Sequence, residues 1–209
     1  MNLKKLKQAE EAFLDRYPGW FNHPEMVEIG KKHKMDKMIA LAQDGFAVRN
    51  FKLPDLIVEN TTKVITRSSM VSVFEKPKFR DFAHSLPSKD RKILADGLEE
   101  LLHGHEQKGF ETVTEILKSG KLAKWSLLTI CQTYYRPQIE VFIKPTTVKG
   151  VIDFFELKNL QYKPTPTWGF YDQYRDIINE MKSRVNPSLS TYNAAFSGFL
   201  MMSMQGTLL

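Results

Sequence analysis

The sequence predicts a mainly α protein, a multi-helix bundle with at most a minor short strand pair, and three observations lead there. Apolar residues recur at spacings of three and four through most of the 209-residue chain, which is the period of a helix with one buried face. Proline and glycine interrupt these runs at short intervals, so the connections are short. A single segment, Ile139 to Ile143, reads as a strand in the order Ile-Glu-Val-Phe-Ile, and a lone short strand needs a partner.

The elements follow in order. Asn2 opens a helix whose apolar positions are Leu3, Leu6, Ala9, Phe13 and Tyr17. Pro18 and Gly19 break it, and Asn22 or His23 before Pro24 marks the next N-terminus. That second helix is expected to run through Met26, Ile29, Met35, Met38, Ile39, Ala42 and Phe46 without interruption. A third spans Pro54 to about Thr66, although its β-branched cluster Glu59 to Thr66 would also suit a strand. Met70 to Phe74 is read as helical, and a short helix follows around Phe79 and Phe82.

Ser88 is expected to cap the helix that carries Leu94, Leu98, Leu101 and Leu102 on one face, with Gly104 ending it. Helices through Phe110 to Leu117 and through Trp125 to Cys131 come next. Pro145 opens another with Val148, Val151, Ile152 and Phe155 inward. Pro164 and Pro166 make an extended connector, and Tyr171, Tyr174, Ile178, Met181 and Val185 mark a further helix closed by Asn186 and Pro187. Ser188 or Ser190 would cap the last one, which holds the apolar stretch Ala194 to Met204. The chain reads as one domain, 1–209. A division near Gly120 into 1–120 and 121–209 is the alternative, though no long polar linker lies there.

Composition bounds the function classes. Apolar residues at 42% and charged residues at 26% fit a water-folded globular chain and exclude disordered or collagen-like classes. The longest apolar stretch is too short to span a bilayer, so no membrane partner is expected. One cysteine, Cys131, can form neither an internal disulfide nor a multi-cysteine zinc site, which points to a reducing compartment. The N-terminus carries Lys4, Lys5 and Lys7 where a secretory signal would be apolar, so a cytoplasmic location is expected. No phosphate-binding glycine loop, dinucleotide fingerprint, nucleophile elbow or His-Glu-x-x-His motif occurs. No catalytic residue and no cofactor are assigned.

Net charge is +6, with the basic excess at the two ends: residues 1–52 hold ten Lys/Arg against seven Asp/Glu, and residues 121–209 ten against six. Such a balance favours acidic partners. Lys31, Lys32, His33 and Lys34 place four basic groups in one turn, a secondary patch that otherwise reads as a solvated face. His103, His105 and Glu106 form the one metal-like cluster, yet histidines at a helix C-terminus ordinarily sit against the negative end of its dipole. No metal is assigned.

The main candidate site lies between Pro137 and Tyr171. Lys144, Thr146, Thr147 and Lys149 surround a helix N-terminus, whose unpaired amides attract anions. Tyr162, Trp168 and Tyr171 follow along the proline connector, and aromatic faces beside basic groups can stack bases. The competing reading has a threonine capping the helix while the aromatics seal the core.

This last third of the chain, about Pro137 to Met202, resembles a segment of bacterial proteins that have no assigned activity. Those read Phe-Leu-Lys-Pro-Thr, then Pro-x-Trp-x-x-Tyr, then an aromatic end. Phe142, Lys144, Pro145, Thr146, Pro166, Trp168 and Tyr171 match, whereas Leu200 or Met201 stands where the terminal Trp would be. The resemblance implies that these residues form one structural unit. The reading is therefore a cytoplasmic binding or adaptor module for an acidic partner, nucleic acid or protein. Its alternatives are a structural or self-associating domain with a Met-rich or aromatic contact surface, and an enzyme whose site the sequence does not display.

Overall fold

Asn2 opens α1 (Leu3–Arg16) as expected, its side-chain oxygen accepting from the Lys5 amide at 3.1 Å. Gly19, at φ +87°, turns the chain into a short 3-10 segment. The computed structural model describes residues 1–204; among these there are eleven α-helices, three 3-10 turns and no strand. The chain is thus all-α.

The helix expected from Met26 to Phe46 is in fact two, α2 (Pro24–His33) and α3 (Met35–Gly45), broken at Lys34, which adopts the left-handed conformation at φ +48°. The reason is local. Lys31, Lys32, His33 and Lys34 interrupt the apolar stripe, so no burial holds a continuous helix there, and like charges crowd a single turn. His23, as expected, caps α2, accepting from the Glu25 amide.

Next, α4 (Pro54–Arg67) accommodates its β-branched cluster because the hydroxyls of Thr61, Thr62 and Thr66 donate to carbonyls one turn back, at 2.7–2.8 Å. Residues 70–74, expected to be helical, are an irregular turn. Ser68 and Ser72 accept from the Met70 and Phe74 amides, and such serine turns compete with helix. α5 (Glu75–Ser85) follows.

Pro87, not Ser88, is the cap residue of α6 (Ser88–His103), and α7 (Glu106–Ser119) begins a full turn before the Phe110 start that the sequence suggests. These two helices pack so closely that a Cβ on Gly109 would lie 2.1 Å from the Leu101 amide nitrogen. Glycine is required there by the approach of two backbones.

At the centre lies α8 (Trp125–Tyr135), buried on almost every face, as a helix apolar all round must be. It is followed by the extended stretch 140–144, then α9 (Pro145–Phe154), α10 (Trp168–Ser183) and α11 (Asn193–Met204). Neither Ser188 nor Ser190 starts α11; they belong to a 3-10 turn at Pro187–Leu189 and the residue after it. One buried cluster draws on α1 through α11, from Leu6 to Leu200, with residues from both sides of Gly120. None of the described helices is long and apolar enough to cross a membrane.

Ile139 to Ile143 forms no ladder, which corrects the strand expectation. Its inward amides find side chains instead: the Val141 amide donates to the Tyr171 hydroxyl at 3.3 Å, and the Ile143 amide to Thr129 Oγ1 at 3.1 Å. Val141 and Ile143 are fully buried. Each buried amide needs an acceptor, and two well-placed hydroxyls replace a neighbouring strand.

Gly109→Ala should destabilise the protein by about 3 kcal/mol, the upper part of the overpacking range, although alanine is the better helix former. Urea denaturation of the variant checks this.

Candidate functional site

The segment from Pro137 to Tyr171 has an inner and an outer face, and they do different things. Inside, Glu140 is fully buried. A lone carboxylate there would be prohibitively unfavourable. It is answered by the Tyr171 hydroxyl, which donates at 2.6 Å, by Arg136 Nη2 at 2.5 Å, and by Arg175 Nη1 at 3.3 Å from both oxygens. Glu106 bridges the same two arginines at 2.8 Å each, and Asp172 holds Arg175 Nη2 at 2.7 Å.

Arg175 also lies over the rings of Trp168 and Tyr171, 5.4 and 5.6 Å from their centres, and both rings meet Phe110. Four elements thus close on one carboxylate: α7, the end of α8 with its following turn, the extended stretch, and α10.

The electrostatics make this a lock. Burial and the adjacent Glu140 push the Tyr171 phenol well above its usual range, so it stays a neutral donor. Burial works against ionisation of Glu106, but the hydrogen bond from Arg175 and the charges of Arg136 and Arg175 outweigh it, holding its carboxyl below the ordinary value. Burial likewise works against the Arg175 charge and is overcome by Glu106 and Glu140, which raise it. Among the described residues the buried Gln132 amide and Arg136 Nε have no hydrogen-bond partner.

Outside, α9 begins at Pro145 with Lys144 as its cap residue and no side-chain cap. Thr146 and Thr147 therefore do not cap the helix, and the amides of its first turn are left to solvent or ligand. Thr146 and Lys149, three residues apart, share an exposed face. Lys149 Nζ sits 5.2 Å from the centre of the half-buried Tyr162 ring, which rests edge-on against Phe170. Lys163 follows, its carbonyl accepting from the Trp125 indole at 2.8 Å. Among the described residues, Lys144, Lys149 and Lys163 have no carboxylate ion-pair partner.

The expected site thus divides. Lys149 and Tyr162 come together, and Lys144, Thr146 and Thr147 lie at the exposed or half-exposed start of the same helix. Tyr171 is wholly buried, so it does not offer a ring face to a base as the sequence reading had it, whereas Trp168 is half-buried with Arg175 over its ring. The signal for this was Arg175, four residues after Tyr171 on the inward stripe of a helix. Lys163, which the sequence reading passed over, is exposed beside Tyr162 in the chain.

Elsewhere, His103 Nε2 donates to the Phe46 carbonyl at 2.8 Å, while His105 Nδ1 accepts from the Lys108 amide at the start of α7. Glu106 turns to the arginines. These three residues have separate structural duties, and no set of three or more metal-ligating side chains converges among the described residues. Cys131 is buried, and its thiol is pushed up to about 12, which leaves it no thiolate character. Lys31, Lys32 and Lys34 are exposed, whereas His33 turns to the Ser69 hydroxyl at 2.9 Å and is held below its usual value by burial and then by Lys32.

Glu140→Ala should lose about 3 kcal/mol, because it removes the buried acceptor of Tyr171 and one of the carboxylates that answer Arg136 and Arg175 while Glu106 and Asp172 remain, whereas Lys149→Ala should stay within about 0.5 kcal/mol of the parent; chemical denaturation distinguishes them. A second expectation concerns acid. The folded Glu106 value is depressed, so its stabilisation is complete above the unfolded value of about 4.3 and is lost as pH falls through the lower folded value. Denaturation midpoints followed through that window should fall less steeply in Glu106→Gln.

Comparison with known protein families, with curated proteins and with solved structures finds no match for this chain.

Proposed function

We propose that this chain is a helical binding module that takes a phosphate-bearing polyanion, single-stranded nucleic acid in the first instance, on the outer face of α9 and the connector that follows. One observation carries the reading: Lys149 on α9 lies over the Tyr162 ring, and the start of that helix has no side-chain cap, with the exposed Lys144 as its cap residue. Backbone amides and lysines supply anion contacts. An ammonium on a flexible stem can swing from the ring to a phosphate, leaving the ring face for a base.

The inner lock supports the same reading. It holds the stretch leading into α9 at a fixed place beneath the lysines, so the outer groups need little ordering on binding. The basic excess of residues 121–209 supplies the long-range attraction.

Fluorescence anisotropy with a labelled single-stranded oligonucleotide tests this. Affinity should fall as salt rises, and each of Lys144→Ala and Lys149→Ala should reduce the slope of log K against log salt by about 0.7, one phosphate contact. Tyr162→Ala should lose about 1–3 kcal/mol of stacking, while Trp168→Phe should leave affinity unchanged. Absence of binding at low salt, or unaltered salt slopes in the lysine variants, refutes the reading.

A further inference from the structure

The break at Lys34 leaves a feature that the proposed polyanion site does not use. Between α2 and α11 lies a mostly apolar cavity of about 150 Å³, whose lining includes Phe21, Met26, Met35, Met70 and Met202. A dry pocket of about that size takes a benzene ring, so one aromatic or branched aliphatic side chain fits it. Four of its eleven lining residues are methionines, whose flexible thioethers repack around whatever enters, and one, His33, is polar.

Two glycines line the cavity, Gly30 on α2 and Gly198 on α11. A Cβ at either would meet nothing, and neither has a positive φ. Glycine is the least favourable ordinary residue inside a helix apart from proline. Neither backbone strain nor close packing explains it at these positions; an open cavity mouth does.

The surroundings say what enters. Ile29 is 43% exposed and Val27 40%, so the apolar surface continues out of the cavity along α2. The cavity adjoins a wider depression of about 810 Å³ edged by Lys31, Lys34 and Lys37. Of the carboxylates nearby, Glu28 is paired with Lys31, and Asp36 accepts from the Tyr192 hydroxyl at 3.0 Å. Lys34 and Lys37 have no carboxylate partner among the described residues. An apolar floor with a basic rim is complementary to an amphipathic helix that has acidic flanks, docked by one inserted apolar side chain.

We propose that the groove between α2 and α11 is a docking site for an acidic amphipathic helix of a partner protein, anchored by one bulky apolar side chain in the methionine cavity. This site is independent of the α9 face. It gives the basic turn at Lys31 to Lys34 a role: by ending α2 it opens the groove, and by its charge it selects what fills it.

The test uses the full chain and a designed peptide of about 18 residues, long enough to hold a helix, with Leu and Phe along one face and Glu on both flanks. A second peptide carries Lys in place of each Glu. The acidic peptide should bind about tenfold tighter than the basic one, and Gly198→Leu, which fills the cavity from α11, should weaken it about tenfold or more, the share of one buried apolar side chain. Circular dichroism and the melting temperature of Gly198→Leu should be unchanged or higher; if that variant does not fold, Gly30→Leu makes the same block from α2. Lys31→Glu with Lys37→Glu should reverse the preference between peptides, and Lys149→Glu should leave it intact.

The proposal is overturned if both peptides bind alike, if neither binds, or if the filled variants bind as the parent does. It is overturned equally if light scattering shows the parent to be a dimer that Gly198→Leu dissociates, since the groove would then belong to a second copy.

Discussion

A carboxylate removed from water must have its charge answered within the protein, and at Glu140 that requirement organises the C-terminal half of the molecule. Its two oxygens are shared among Arg136, Arg175 and Tyr171, three groups delivered by the end of α8 and by α10. Glu106 then brings in α7. Because Glu140 is fully buried, moving α10 or the end of α8 takes away a guanidinium that answers it in a low-dielectric interior. The stretch from Glu140 to Lys144 cannot slide, and α9 starts where that stretch ends.

Hydroxyl groups do a related task. Thr129 on the central helix donates to the Trp125 carbonyl and accepts from the Ile143 amide. Tyr171 donates to Glu140 and accepts from the Val141 amide. An extended segment is usually held by a neighbouring strand; here two side chains with both donor and acceptor capacity satisfy it, and the fold stays all-α. The same economy appears in α4, where three threonines return their hydroxyls to the helix that their β-branching disfavours.

The two surfaces proposed for recognition sit on the outside of this framework. The lysines and Tyr162 around α9 inherit a fixed platform from the buried network. The groove beside α2 owes its existence to a different constraint, the inability of four consecutive basic residues to continue an apolar stripe. The two surfaces differ in chemistry: one offers amides, ammonium groups and a ring face, the other a methionine-lined floor with a charged edge.

By itself the sequence determined the helical class, most of the helix positions and their buried faces, since spacing, prolines and caps such as Asn2 and His23 are local signals. It also placed the outer group, because Lys144, Thr146, Thr147 and Lys149 lie within one helical opening. Only the tertiary structure decided the rest. Whether Ile139 to Ile143 pairs as a strand depends on Thr129 and Tyr171, 14 and 30 residues away from the amides that they satisfy. Whether Trp168 and Tyr171 face solvent depends on where Arg175 finds its carboxylates. The break at Lys34 is local, but that the stripe would not continue through it shows only in the folded backbone, where Lys34 turns left-handed. A linear pattern reports which residues share a face; which face meets which partner is settled by burial and charge compensation between segments far apart in sequence.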